Sequence, residues 1–94
     1  MARTKAAINQ ANQVGAQDYA PLELRNSRKK LDQAKSLIEQ KKYEKAKRLA
    51  ERAEVDAELA EERSLSKKAQ NAVKQLKKSI KILKQEIQQH QQNQ

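Results

Sequence analysis

Two apolar stripes overlap along this sequence, and they fall on opposite faces of one helix. The first is Ala46, Ala50, Ala53, Ala57 and Ala60, spaced 4-3-4-3. The second is Val55, Leu59, Glu62, Ser66, Ala69, Val73, Leu76, Ile80, Leu83 and Ile87, which keeps alternating 4-3 spacing without a break. At about 100° per residue, Val55 stands roughly 200° from Ala53. A sustained heptad of this kind is a coiled-coil signature. A helix that is apolar on two sides needs two partners, and that demand fixes most of what the chain can become.

The first partner lies upstream. Leu24, Ser27, Leu31, Ala34 and Ile38, with Leu37 beside them, form a stripe spaced 3-4-3-4. Pairing Ile38 with Ala46, Ala34 with Ala50, Leu31 with Ala53, Ser27 with Ala57 and Leu24 with Ala60 keeps a constant index sum of 84. One antiparallel register therefore satisfies both stripes, and the alanines let the axes approach closely. The phase resets at Gln40-Lys41-Lys42-Tyr43, which reads as the hairpin turn, with Tyr43 counted among the hairpin packing residues. The expected fold is all-α: an antiparallel helical hairpin with one long, coiled-coil-like C-terminal helix and a short N-terminal helix.

The chain reads as a single helical domain over residues 1–94. Helices are expected at about 2–14, 19–40 and 43–88, with residues 89–94 a frayed Gln-rich tail. Ile8, Ala11 and Val14 mark the short helix. Asp18 is a candidate cap for the next one, and Pro21 suits its first turn. Helix 43–88 would be on the order of 65–70 Å long and helix 19–40 only about 30 Å. The first helix either folds back on the hairpin or continues along the long helix, setting Ala11 opposite Val73 and Ile8 opposite Leu76. In both cases Ile80, Leu83 and Ile87 lack an internal partner, so self-association through Leu76, Ile80, Leu83 and Ile87 is expected.

Composition narrows the function classes. The only aromatics are Tyr19 and Tyr43, and there is no cysteine, which excludes disulfides and thiolate metal sites. No run reaches the roughly 18 apolar residues needed to cross a bilayer. The net charge of +9 is uneven: residues 43–62 carry four basic and seven acidic groups, whereas residues 63–94 carry eight basic and one acidic. Lys67, Lys68, Lys74, Lys77, Lys78, Lys81 and Lys84 are the candidate anion contacts. Their plainest reading is a solvated face that keeps a coiled coil soluble. The alternative is an anionic partner, either an acidic polymer or a lipid surface. Specific nucleic-acid recognition is disfavoured, because the stretch has no aromatic for base stacking and its basic residues are all Lys rather than the Arg that reads base edges.

Glu51, Glu54, Asp56, Glu58, Glu61 and Glu62 are expected to pair with Arg25, Arg28, Arg48 and Arg52 along and between helices. His90 has no second His or Cys nearby. No phosphate loop, nucleophile elbow or acid–base constellation is present. The sequence thus gives no catalytic, cofactor-binding or metal residues, and the expectation is a protein that is not an enzyme and needs no cofactor.

Two runs carry a family resemblance. One is Tyr19-Ala20-Pro21-Leu22-Glu23-Leu24-Arg25, followed by Lys30-Leu31-Asp32-Gln33-Ala34. The other is Tyr43-Glu44-Lys45-Ala46-Lys47-Arg48-Leu49-Ala50-Glu51, followed by Val55-Asp56-Ala57-Glu58-Leu59-Ala60-Glu61. In this order they resemble the domain-of-unknown-function 4398 family of small Gram-negative envelope proteins, over roughly residues 6–70. Members are typically lipoproteins, sometimes joined to an OmpA-like peptidoglycan-binding domain. The resemblance implies a periplasmic, outer-membrane-associated protein if Met1 stands in for a removed leader and lipidated cysteine, and a cytoplasmic one otherwise. It implies a structural or interaction module, with a protein partner or a second copy, and transfers no catalytic residue.

Overall fold

The computed structural model describes residues 1–92, which form four helices. These are α1 (Ala2–Gln13), α2 (Ala16–Tyr19), α3 (Pro21–Glu39) and α4 (Tyr43–Gln92). The molecule is a rod of 80 × 16 × 15 Å. Its all-α, hairpin-based architecture with one long C-terminal helix is the one the stripes predict. Among the described residues there is no strand.

The hairpin register follows from the small residues. Ala46, Ala50, Ala53, Ala57, Ala60 and Ser64 are all buried along one line of α4, and Leu24, Ser27, Leu31 and Ala34 are buried along α3. Polar contacts at the flanks hold the same alignment: Lys30 meets Asp56, and Arg63 meets Glu23. Ile38 departs from expectation. It sits at the open turn end beside Met1 and Tyr43 and remains 38 % exposed, while Leu37 is half-buried. Tyr43 is 62 % exposed and packs less than the hairpin reading supposed.

The direction of α1 is settled by its contacts. Thr4 Oγ1 donates to the Ala50 carbonyl at 2.9 Å, whereas Gly15 lies against Lys68. The helix therefore runs parallel to α4 and antiparallel to α3, folding back to close a three-helix base. Ala11 does not face Val73, and Ile8 does not face Leu76. Thr4, Ile8 and Ala11 instead complete the core with Ala53, Ala57 and Ala60, a burial that the extended alternative would forgo. Gly15, with φ of 90°, makes the reversal: a Cβ there would stand 3.2 Å from the Tyr19 ring in a backbone region that side chains disfavour.

Two element boundaries move. Residues 16–19 form a single helical turn, and α3 starts at Pro21 with Ala20 as its N-cap. Asp18 makes no capping hydrogen bond to α3, because it lies inside α2 on the far side of the Ala20 bend. At the other end α4 stays helical through Gln92, beyond the expected limit near 88. Glutamine is a good helix former and nothing there breaks the ladder. Asn93 and Gln94 of the expected tail lie outside the described residues.

The α3–α4 turn explains how a hairpin forms without glycine. Lys42 N–H donates to the Leu37 carbonyl at 2.8 Å and Lys41 N–H to the Ile38 carbonyl at 2.9 Å. These two bonds make a Schellman motif, which places Lys41 at φ 62°. A non-glycine residue in this region costs about 1–2 kcal/mol. Replacing Lys41 with Gly is expected to stabilise the base by about 1 kcal/mol, read as a rise of about 4–8 °C in Tm. A Tm equal to or below wild type would refute the assignment of strain to this residue.

Candidate docking surface

Past Ser64 the base ends. From Leu65 to Gln92 every described residue of α4 is exposed, and beyond Lys68 it runs on as a single helix about 35 Å long. Val73, Leu76, Ile80, Leu83 and Ile87 form a continuous line along it, each 43–60 % exposed. Val55 and Leu59 carry the same line back over the base and are also exposed, 61 % and 37 %. The face opposite the alanine core is thus open over its whole length.

The side chains around that line are unequal. By helical geometry Lys74, Lys77, Lys81 and Lys84 lie on one flank and Ala72, Ser79 and Glu86 on the other. Ile82, 47 % exposed, projects from the far side, where it continues the direction of the core-facing alanines as an isolated apolar residue. It has no helical neighbours of its own kind, and the sequence reading gave it no role.

The seven candidate lysines divide into two groups. Lys67 Nζ donates to the Tyr19 carbonyl, and Lys68 Nζ stands 5.6 Å from the centroid of the Tyr19 ring. These two hold α2 onto α4. Lys74, Lys77, Lys78, Lys81 and Lys84 stand on the free helix.

Three buried hydroxyls escaped or were only partly read from sequence. Thr4 bonds the Ala50 carbonyl, Ser27 the Ala53 carbonyl at 2.6 Å, and Ser64 the Ala60 carbonyl at 2.7 Å. Each has its partner, as burial of a hydroxyl demands. Thr4 extends Ile8 and Ala11 backward at 4-3 spacing, which is legible in the sequence, whereas Val14 is half-buried. Ser64 simply extends the alanine stripe by four.

The acidic segment behaves structurally. Asp56 pairs with Lys30 at 2.5 Å, and Glu23 takes Arg63. Of the six acidic residues Asp56 alone forms an ion pair among the described residues, with Lys30 across the α3–α4 interface; none of the expected Arg25, Arg28, Arg48 and Arg52 takes part, and Arg63 pairs with Glu23 of α3 instead. The Glu23 carboxyl is held below its ordinary range, first by a backbone N–H of its helix turn and then by Arg63 and Lys67, against a counteracting effect of burial. Its contribution to stability is present at neutral pH and disappears as pH falls through the carboxylate range. Among the described residues no three His, Cys, Asp or Glu side chains converge as a metal site. A groove of about 380 Å³, lined by Met1, Arg3, Thr4, Ile38, Tyr43 and Ala46 among others, opens at the turn end of the base. No helix among the described residues is long and apolar enough to cross a membrane.

No curated protein and no solved structure matches the chain. A family model does: that of the domain of unknown function DUF4398, over residues 1–76. The match takes in the three-helix base and the root of the free helix, stopping short of Ile80, Leu83 and Ile87. The chain belongs to the DUF4398 family.

Proposed function

We propose that the protein is a non-catalytic structural module of the bacterial cell envelope, in which the base carries the free helix as a spacer and docking rod. One observation supports this above the others: Leu76, Ile80, Leu83 and Ile87 line up on a helix that nothing in the chain covers. Most helical stability in proteins comes from packing an apolar face. The rod is built to be covered, and self-association through these four residues covers it. The envelope setting, periplasmic and outer-membrane-associated, rests on the family resemblance alone.

Sedimentation equilibrium tests this reading. Wild type is expected as a dimer and Leu83→Asp as a monomer, since a carboxylate at the seam would be buried unpaired. A wild-type monomer at all concentrations, unchanged by the substitution, would sink the self-association.

The rod's charge supports a second reading, binding of an acidic polymer or anionic lipid surface through Lys74, Lys77, Lys78, Lys81 and Lys84. Replacing Lys74, Lys77, Lys78 and Lys81 with Gln should then weaken binding to a polyanion and flatten its salt dependence. Wild-type binding that ignores salt would dispose of this alternative.

A further inference from the structure

Resting on the docking reading, we infer that the occupant of the rod's apolar face is a second copy of this chain, aligned parallel and in register as a two-stranded coiled coil. The heptad over Ser66–Ile87 places Val73, Ile80 and Ile87 at the a positions and Leu76 and Leu83 at the d positions. β-Branched residues at a with leucine at d favour two parallel strands over three or four. Ser66 and Ala69 head the seam, and Glu62, which falls at the preceding d position, ends it.

The flanks choose the orientation. In a parallel pair each e position faces a g position of the other copy. Lys77 then lies beside Ala72 and Lys84 beside Ser79, and the lysines are kept from one another. Reversing one helix brings like flanks together. The antiparallel registers that stack the large residues set Lys77 against Lys77 or against Lys84 of the other chain. The longer antiparallel overlap, Val55 on Ile87, sets Arg63 against Lys77 and Glu58 against Glu86, with Asp56 against Lys84 as the one opposing attraction. Like charges face each other in each of these reversed alignments, which discriminates by repulsion.

The base leaves room for this partner. Helices α1 and α3 occupy the alanine face of α4, roughly 180° from the seam. The exposure of Val55 and Leu59 shows the seam side open even at base level. Two bases would emerge on the same end of the coil and on its outer sides.

The chain has no cysteine, so single replacements report alignment directly. Val73→Cys and Ile87→Cys are each oxidised with glutathione and run on non-reducing gels, with sedimentation of the reduced proteins as control for fold and association. Parallel pairing predicts that each variant alone converts to a species of twice the 10.8 kDa chain mass. The antiparallel registers that stack the large residues hold both positions about 15–25 Å from their copies, and neither would convert. The longer overlap brings Val73 within about 6 Å of its copy but leaves Ile87 about 50 Å away, so conversion of Val73→Cys alone would also overturn the parallel alignment. Reduced dimers without disulfide formation would overturn the parallel alignment while leaving the docking rod intact. A trimer would overturn the two-stranded assignment. Monomers that form no disulfide would defeat the inference and self-association together, and if they pelleted with phosphatidylglycerol vesicles the occupant would be a membrane surface.

Discussion

Ala57→Leu is expected to remove a large part of the stability of the base. Ala57 is fully buried where α4 meets α3 and α1, and every buried position along that line of α4 is alanine or serine. The small side chains set the spacing between axes, and the peer residues Leu24 and Leu31 fill what room remains. Inserting a larger aliphatic into such a seam typically costs about 1–3 kcal/mol and sometimes more. A core of this size supplies roughly 3–5 kcal/mol in total. The substitution therefore removes a large part of the margin, and a fall in Tm of about 4–8 °C per kcal/mol follows. Thermal melts followed by circular dichroism read the effect directly. A variant melting within about 2 °C of wild type would show that the helices are not closely apposed there, against the argument from small residues.

The second large effect concerns the rod itself. Dilution below the association range, or Leu83→Asp, is expected to remove helix from residues 69–92, more than a quarter of the helical residues, while the base stays folded. The free helix carries like-charge neighbours at helical spacing: Lys74 with Lys77 and Lys78, Lys77 with Lys81, and Lys81 with Lys84. Each such pair costs about 0.2–0.5 kcal/mol. Little on the rod compensates, since Glu86 is its only carboxylate. Without a partner the apolar line offers no packing energy, which is where most helical stability in proteins comes from. Ellipticity at 222 nm should thus depend on concentration, and added salt should restore part of the loss by screening the lysines. Helicity that stays constant on dilution of a proven dimer into monomers would show the rod to be stable by itself.

Much of the base was legible because its seam obeys one rule. The alternation of Ala46, Ala50, Ala53, Ala57 and Ala60 against Leu24, Ser27 and Leu31 admits a single antiparallel register, and the structure adopts it. The path of α1 was not legible for an equally physical reason. A short stripe such as Ile8 and Ala11 fits any apolar surface of suitable width, so both a continued and a reversed course satisfied the pattern. What separates them is the Gly15 bend together with the Thr4 hydroxyl, which finds a backbone carbonyl only on the folded-back course. The hairpin turn carried no glycine to announce its geometry, because Lys41 takes the left-handed position instead. The lysine run read as one patch, yet the ring and carbonyl of Tyr19 draw two members into holding the base. That depends on tertiary proximity, which spacing alone does not reveal.

The confinement of α1 and α3 to one end of α4 makes the reach of the molecule separable from its stability. Beyond Lys68 the polypeptide could gain or lose whole heptads, each worth about 10 Å of span, with no change to a single residue of the core. A gain of three or four residues would be different, swinging everything distal around the axis and breaking the phase of the apolar line. Such a molecule is a gauge graduated in sevens, whose length can drift over generations without asking the folded part for permission.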